Sequence, residues 1–380
     1  MFIHRTIQDG IENMLYQGKV MVLYGARRTG KTTLSKQILE KVEGSKYINC
    51  DLLQNQHALE TTNSELLISF IGRTTKLVVF DEAQQIKDIG KILKILVDTF
   101  PEVQVIATGS SAFDLGNKVT EPLTGRSRVF HLFPLSFGEI AMNKNVINAD
   151  ANLENFLRFG SYPEVFGKED QLAMEELNNI ASNYLYKDIL QLESLRRTNL
   201  LRELLRAVAF QIGNEVSYNE LANLLGENVH TIKKYLELLE KTFILFRLTP
   251  LSRNLRNEIG KGQKIYFYDT GIRNAIIQNF NNLALRNDTG ALWENFFISE
   301  RIKFLQNNRK FVNSYFWRTY QQKEIDYIEE TGGTLTAFEC KFSEKSSVKL
   351  PADFGNGYPG CEFHVVNRNN YWKYLSVDKS

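Results

Sequence analysis

The sequence predicts an α/β protein that opens with a parallel sheet flanked by helices and continues into smaller domains. Three observations predict it. Short apolar runs at Met21-Val22-Leu23-Tyr24, Leu77-Val78-Val79-Phe80 and Val103-Gln104-Val105-Ile106-Ala107-Thr108 suit strands buried on both faces, as parallel strands are. The first run feeds into a glycine-spaced turn and then a helix-periodic stretch from Thr33 to Val42, the order of a strand–loop–helix unit. The chain has 380 residues, more than one hydrophobic core usually accommodates, so two to four domains are expected.

Composition narrows the class before any motif is considered. With 43% apolar and 24% charged residues the chain has enough apolar material for a sizeable core, which excludes a disordered or fibrous protein. No apolar run approaches the eighteen or so residues that span a bilayer. The start, Met1-Phe2-Ile3-His4-Arg5, lacks the charged-then-apolar pattern of a secretion signal. A cytoplasmic protein with no membrane partner is expected. Cys50, Cys340 and Cys361 are far apart and include no C-x-x-C pair, so they point to reduced thiols and not to a disulfide framework or zinc site.

After the first strand comes Gly25-Ala26-Arg27-Arg28-Thr29-Gly30-Lys31-Thr32-Thr33, a full match to the phosphate-binding pattern G-x-x-x-x-G-K-S/T. The chemistry explains the residue types. Glycines let backbone N–H groups wrap the phosphates, Lys31 reaches the β- and γ-phosphates, and the Thr32 hydroxyl ligates Mg²⁺. The helix that follows turns its positive N-terminal dipole toward the same anion. ATP and Mg are therefore the expected cofactors.

The second strand ends in Asp81-Glu82. Asp81 is placed to hold the Mg²⁺ shell, and Glu82 to polarise a water for attack on the γ-phosphate. The third strand ends in Thr108-Gly109-Ser110-Ser111, where the hydroxyls of Thr108 and Ser110 could sense the γ-phosphate or orient that water. Arg126, in Leu123-Thr124-Gly125-Arg126, is a candidate arginine finger or else an exposed loop arginine; a finger acting in trans would require a homo-oligomer.

Together with Pro134-Leu135-Ser136-Phe137, these segments resemble the prokaryotic AAA-type P-loop ATPases that carry a C-terminal domain of unknown function related to restriction endonucleases. The likeness extends through Gly160-Ser161-Tyr162-Pro163-Glu164-Val165 and Tyr186-Lys187-Asp188, so it covers nearly the whole chain. Ala26 stands where that family often has proline, and Ser161 where it often has glycine; neither change removes a phosphate or metal ligand. The resemblance implies an AAA-type ATPase domain over residues 1–140 and a helical lid over 141–205. It also implies a restriction-endonuclease-like α/β domain at the C-terminus, over 263–380.

Between them, residues 206–262 read as a winged helix-turn-helix. Ser217-Tyr218-Asn219-Glu220 is a capping box that opens a short helix, Gly226 breaks it, and a second helix runs from about Val229 to Lys241. In that helix Ile232, Tyr235, Leu236 and Leu239 share one face, leaving His230, Thr231, Lys233, Lys234 and Glu237 outward. A strand-like run, Phe243 to Leu248, follows it. From Arg196 to Lys264 there are twelve Lys/Arg against seven Asp/Glu in a chain whose net charge is only +2, so positive charge is concentrated here. Duplex DNA is the expected partner, with Lys233, Lys234, Arg247, Arg253 and Arg256 contacting phosphates, and a packing module is the alternative.

Two further strand-like runs, Ile325-Asp326-Tyr327-Ile328 and Leu335 to Phe342, are joined by the turn Glu329 to Thr334. Strand alternation puts Glu339 and Lys341 on one face and Phe338, Cys340 and Phe342 on the other. Asp326 and Glu339 could ligate a divalent metal, with Lys341 orienting a water or stabilising charge at a phosphodiester. The resemblance adds Glu294 as the first acidic residue of such a site. Two functions stay open: an ATPase whose cycle controls DNA binding and possible cleavage, or a regulatory switch that holds ATP with little turnover.

Overall fold

The computed structural model describes residues 3–110, 122–185, 198–252, 262–319, 321–343 and 348–376. Two compact units result, one built mainly from Met1–Pro134 and the other from most of the chain after it. The first unit thus ends a few residues before position 140.

In the first unit five strands, β1 (Val20–Tyr24), β2 (Ser45–Asn49), β3 (Leu77–Asp81), β4 (Gln104–Gly109) and β5 (Ser127–His131), form an all-parallel sheet in the order β2-β3-β4-β1-β5. The three expected strands are its centre, and every residue in them is buried. The edge strands β2 and β5 mix Ser, Lys, Arg and His with their apolar residues, so no apolar run announces them. Helices Thr6–Glu12 and Lys31–Glu40 lay Ile7, Ile11, Leu34 and Ile38 on Met21, Leu23, Leu77, Val79 and Ile106. The i, i+4 spacing puts each pair on one helix face, and each buried aliphatic side chain contributes roughly 1.5–3 kcal/mol. Register sets Leu23 beside Thr108 and Phe80 beside Ala107, so the carboxyl ends of β1, β3 and β4 finish along one edge. Ligands of open α/β sheets bind outside that edge.

The second unit starts at a helix, Phe137–Lys144, fixed by reciprocal bonds between Ser136 and Glu139. Helices Leu153–Phe159, Asp170–Asn179 and Thr198–Phe210 follow, as the helical stretch expected from Leu153 to Arg206 requires; Tyr186, Lys187 and Asp188 lie outside the described residues. Ser217 then caps the helix Tyr218–Leu225, its hydroxyl accepting the Glu220 N–H at 3.4 Å, and Gly226 ends it at φ 62°. The helix Val229–Lys241 buries Ile232, Tyr235, Leu236 and Leu239 and exposes His230, Lys233, Lys234 and Glu237, as its periodicity predicts.

Seven strands complete this unit: β6 (Glu215–Val216), β7 (Leu245–Pro250), β8 (Gln263–Phe267), β9 (Asn313–Arg318), β10 (Glu324–Thr331), β11 (Thr334–Cys340) and β12 (Glu362–Val366). Their order is β12-β11-β10-β9-β7-β8-β6. β7 and β8 pair antiparallel, so a boundary drawn at 262/263 separates two hydrogen-bonded strands, and the expected third and fourth domains share one sheet. β10 and β11 form the expected hairpin, with Tyr327 opposite Phe338. The long helix Thr289–Asn307 covers it, packing Phe297 against Phe338 in a tilted arrangement with 5.7 Å between ring centroids.

Candidate functional site

The phosphate loop leaves the end of β1 and is held from within. Gly25 passes so close to the chain just after β5 that a side-chain carbon there would lie 2.2 Å from the Leu132 carbonyl oxygen, which only glycine avoids. Arg28 and Gly30 both take positive φ, 63° and 98°, turning the loop back onto the helix Lys31–Glu40. Thr29 is fully buried, and its hydroxyl donates to the Ala26 carbonyl at 2.9 Å. The Lys31 ammonium donates to the carbonyls of Gly25 at 2.8 Å and Ala26 at 3.0 Å, at the mouth of the loop. Arg27 is half-buried and Thr33 is exposed at the start of the helix.

Asp81, at the end of β3, is 4% exposed and accepts three hydroxyl hydrogen bonds. Thr32 donates to Oδ2 at 2.7 Å, Tyr47 to the same oxygen at 2.5 Å, and Thr108 to Oδ1 at 2.5 Å. Thr108 also accepts the Glu82 N–H at 3.1 Å, so its hydroxyl bonds to both members of the acidic pair. Glu82 adopts φ 54°, and Gln84 donates through Nε2 to its carboxylate and, at 3.4 Å, to the Ser110 hydroxyl. A glycine-lined loop, an ammonium at its mouth and a hydroxyl joined to a buried carboxylate fit a nucleotide triphosphate with Mg²⁺.

Sequence reasoning missed two residues here. Arg5, nearly buried, donates to the Thr29 carbonyl at 2.8 Å and the Phe133 carbonyl at 2.6 Å, tying the loop to the end of β5. Tyr47, on an edge strand, completes the Asp81 shell. Neither lies in a motif; Thr29 and Asp81 mark only their partners.

In the second unit two of the expected carboxylates, Glu294 and Asp326, pair with a cation of the chain's own. Lys264, on β8 and fully buried, sets its ammonium 3.0 Å from Glu294 Oε1 and 3.7 Å from Asp326 Oδ1, and pairs also with Glu324. Tyr266 donates to Glu294 Oε1 at 2.6 Å, and the Cys340 N–H to Asp326 Oδ2 at 2.8 Å. Glu339 and Lys341 share a face as expected and bond to each other at 2.7 Å. Burial, and next the Asp326 charge, push the Glu294 carboxyl up to about 8; burial likewise raises Asp326 and Glu339. Among the described residues no group of three or more His, Cys, Asp or Glu side chains is placed to hold a metal ion. Of the three carboxylates expected to share a metal, Glu294 and Asp326 pair with the Lys264 ammonium and Glu339 with that of Lys341.

Residues 17–141 match the family model of an AAA domain. Over this segment the chain is similar to AAA domains. Residues 150–283 and 289–370 match two domains of unknown function, DUF8612 and DUF4143, which carry no reading of their own. An uncharacterized protein of Mycobacterium tuberculosis is 26% identical over 341 residues, covering 89% of this chain and 74% of that one. Another, of Methanocaldococcus jannaschii, is 27% identical over 346 residues, covering 85% and 75%. A Walker-type ATPase of Pyrococcus abyssi superposes on 73% of this chain and 96% of its own, at 17% identity and TM-score 0.49.

In the AAA-type domain Arg126 sits away from the phosphate loop. It precedes β5, its carbonyl accepts the N–H of Val20 at the start of β1, and its side chain pairs with Asp98 at 2.7 Å. The length of β1, roughly 15 Å at about 3.3 Å per residue, separates it from the loop. A finger acting within the chain is therefore corrected to an exposed ion pair. Arg247, expected at a DNA phosphate, instead donates to Glu240 and, at 3.0 Å, to the Tyr218 hydroxyl. Lys264 lies buried, and Arg253, Arg256 and Lys261 fall outside the described residues. Lys233 and Lys234 remain on the exposed helix face. No described helix is long and apolar enough to cross a membrane.

Proposed function

We propose that the protein hydrolyses MgATP in its AAA-type domain and that this cycle controls duplex DNA binding by the helix pair Tyr218–Leu225 and Val229–Lys241. The observation that carries the first half is the 2.7 Å bond between Thr32 and Asp81, at the sheet edge where Lys31 closes the phosphate loop. In this reading Lys31 neutralises the β- and γ-phosphates, Thr32 ligates Mg²⁺, and Asp81 holds the metal's water shell. Glu82, oriented by Gln84, takes the proton of the attacking water. Bound Mg²⁺ supplies charge neutralisation on the phosphates.

Support for the second half comes from the exposed pair Lys233 and Lys234 on a helix presented by a capped turn. The Lys264 cluster favours a second unit that binds DNA without cutting it, since its carboxylates already have a cation. Steady-state ATP turnover measured with and without duplex DNA tests the whole reading. Turnover stimulated by duplex, and reduced about a hundredfold or more in Glu82→Gln with nucleotide binding retained, is expected. Negligible wild-type turnover under both conditions would leave a regulatory switch, and turnover indifferent to duplex would sever the coupling.

A further inference from the structure

Asp81 is too buried for bulk water to order its carboxylate, so its three hydroxyl donors decide where its oxygens point. They differ in origin. Thr108 comes from the neighbouring central strand and holds Oδ1, away from the metal ligand. Thr32 holds Oδ2 but belongs to the nucleotide loop, where its own oxygen is the group that would ligate Mg²⁺. Tyr47 is the second donor on Oδ2, and it is anchored in the sheet.

Its strand makes that reach possible. Asn49 is in register with Asp81, and Tyr47, two residues earlier, stands opposite Val79. Residues two apart in a strand share a face, so the phenol extends along that face to the carboxylate. The ring is further held by the Lys36 ammonium, 4.8 Å above its centroid, from the helix that follows the phosphate loop.

We infer that Tyr47 is a positioning residue for the metal: its hydroxyl fixes the plane of the Asp81 carboxylate, so that Oδ2 stays turned toward Thr32 when Thr32 engages Mg²⁺. Without it, Oδ2 is held only by the side chain that the metal itself recruits, and the carboxylate is free to swing about its Thr108 bond. The inference rests on the reading of this site as a Mg²⁺-dependent ATPase, and it assigns to an edge strand a role in metal affinity.

Tyr47→Phe removes one oxygen and keeps the ring. Mn²⁺ affinity is read by electron paramagnetic resonance in the presence of a non-hydrolysable ATP analogue, and analogue affinity is read separately in EDTA. A charge-assisted hydrogen bond of this kind predicts Mn²⁺ binding weakened about tenfold, with analogue affinity in EDTA changed less than about twofold. The metal concentration giving half-maximal turnover rises in parallel, while turnover at saturating metal falls less than about threefold. Asp81→Asn is the reference and loses most Mn²⁺ affinity. Mn²⁺ affinity unchanged in Tyr47→Phe but lost in Asp81→Asn overturns the role of Tyr47 and leaves the site reading intact. Loss of analogue binding in EDTA assigns the hydroxyl to folding and overturns it as well. Mn²⁺ affinity indifferent to Asp81→Asn removes the metal reading and the inference together.

Discussion

Replacing Lys264 with methionine keeps the aliphatic stem and removes the charge from the centre of the second unit. At an effective dielectric of about 20, an ammonium 3.0 Å from Glu294 and 3.7 Å from Asp326 gains about 5 kcal/mol from each of the two when that carboxyl is ionised, before the cost of desolvation. Removing one partner of such a buried set typically costs about 3–5 kcal/mol, because the remaining charges stay buried. Protonation limits the loss. Glu294 already sits at about 8, from an ordinary 4.5, and without Lys264 a further carboxyl of the cluster is driven up as well. Holding an ordinary carboxyl protonated at pH 7 costs about 3 kcal/mol, and about 1–2 kcal/mol at pH 5.5. A carboxyl raised on folding binds more protons in the folded state, so its contribution is fully present below the unfolded pKa and is lost as pH rises toward the folded one. The stability difference should therefore be about 3–4 kcal/mol at neutral pH and shrink by about 1.4 kcal/mol for each pH unit lowered. Trp293, Trp317 and Trp372, the chain's three tryptophans, all belong to the second unit, so urea unfolding followed by tryptophan fluorescence reads that unit directly. A difference below about 1 kcal/mol that does not change between pH 5.5 and pH 8 would refute the account of Lys264 as counter-ion.

Gly25→Ala puts a methyl 2.2 Å from a backbone oxygen that cannot withdraw without moving β5; fluorescent ATP titration and thermal melting should show nucleotide affinity reduced at least about tenfold and the AAA-type domain destabilised by about 1–3 kcal/mol. Replacing Lys233 and Lys234 together by glutamate should weaken duplex binding about tenfold or more and lower its log-log salt slope by about two, as read by fluorescence anisotropy across salt concentrations. Unchanged affinity and slope would take the helix Val229–Lys241 out of the DNA interface.

Legibility in the sequence followed how locally each feature is encoded. The phosphate loop and Asp81-Glu82 lie at the ends of fully buried strands, so apolar runs and motif spacing located both. The helix pair was equally plain, because Ser217, Gly226 and a 3.6-residue period are local signals. Arg5 and Tyr47 were not, since each is a single residue whose meaning comes from a partner 24 or 34 positions away. Lys264 went unassigned for a related reason: it closes a run rich in basic residues, and composition cannot tell that β8 turns it inward toward Glu294 and Asp326.

Arg126 shows the same limit in a form that can be generalised. In a parallel sheet every strand runs the same way, so residues that follow strands gather at the ligand edge and residues that precede them gather at the far edge. Asp81 and Thr108 end their strands, whereas Arg126 precedes one. Without β5 in view, Gly125-Arg126 reads as another loop near the phosphates; with β5 paired to β1 from Val20 onward, the same loop belongs to the opposite side of the sheet. An in-chain arginine for the γ-phosphate must come from a segment that follows a strand or reaches across the carboxyl edge, a criterion that Arg126 does not meet.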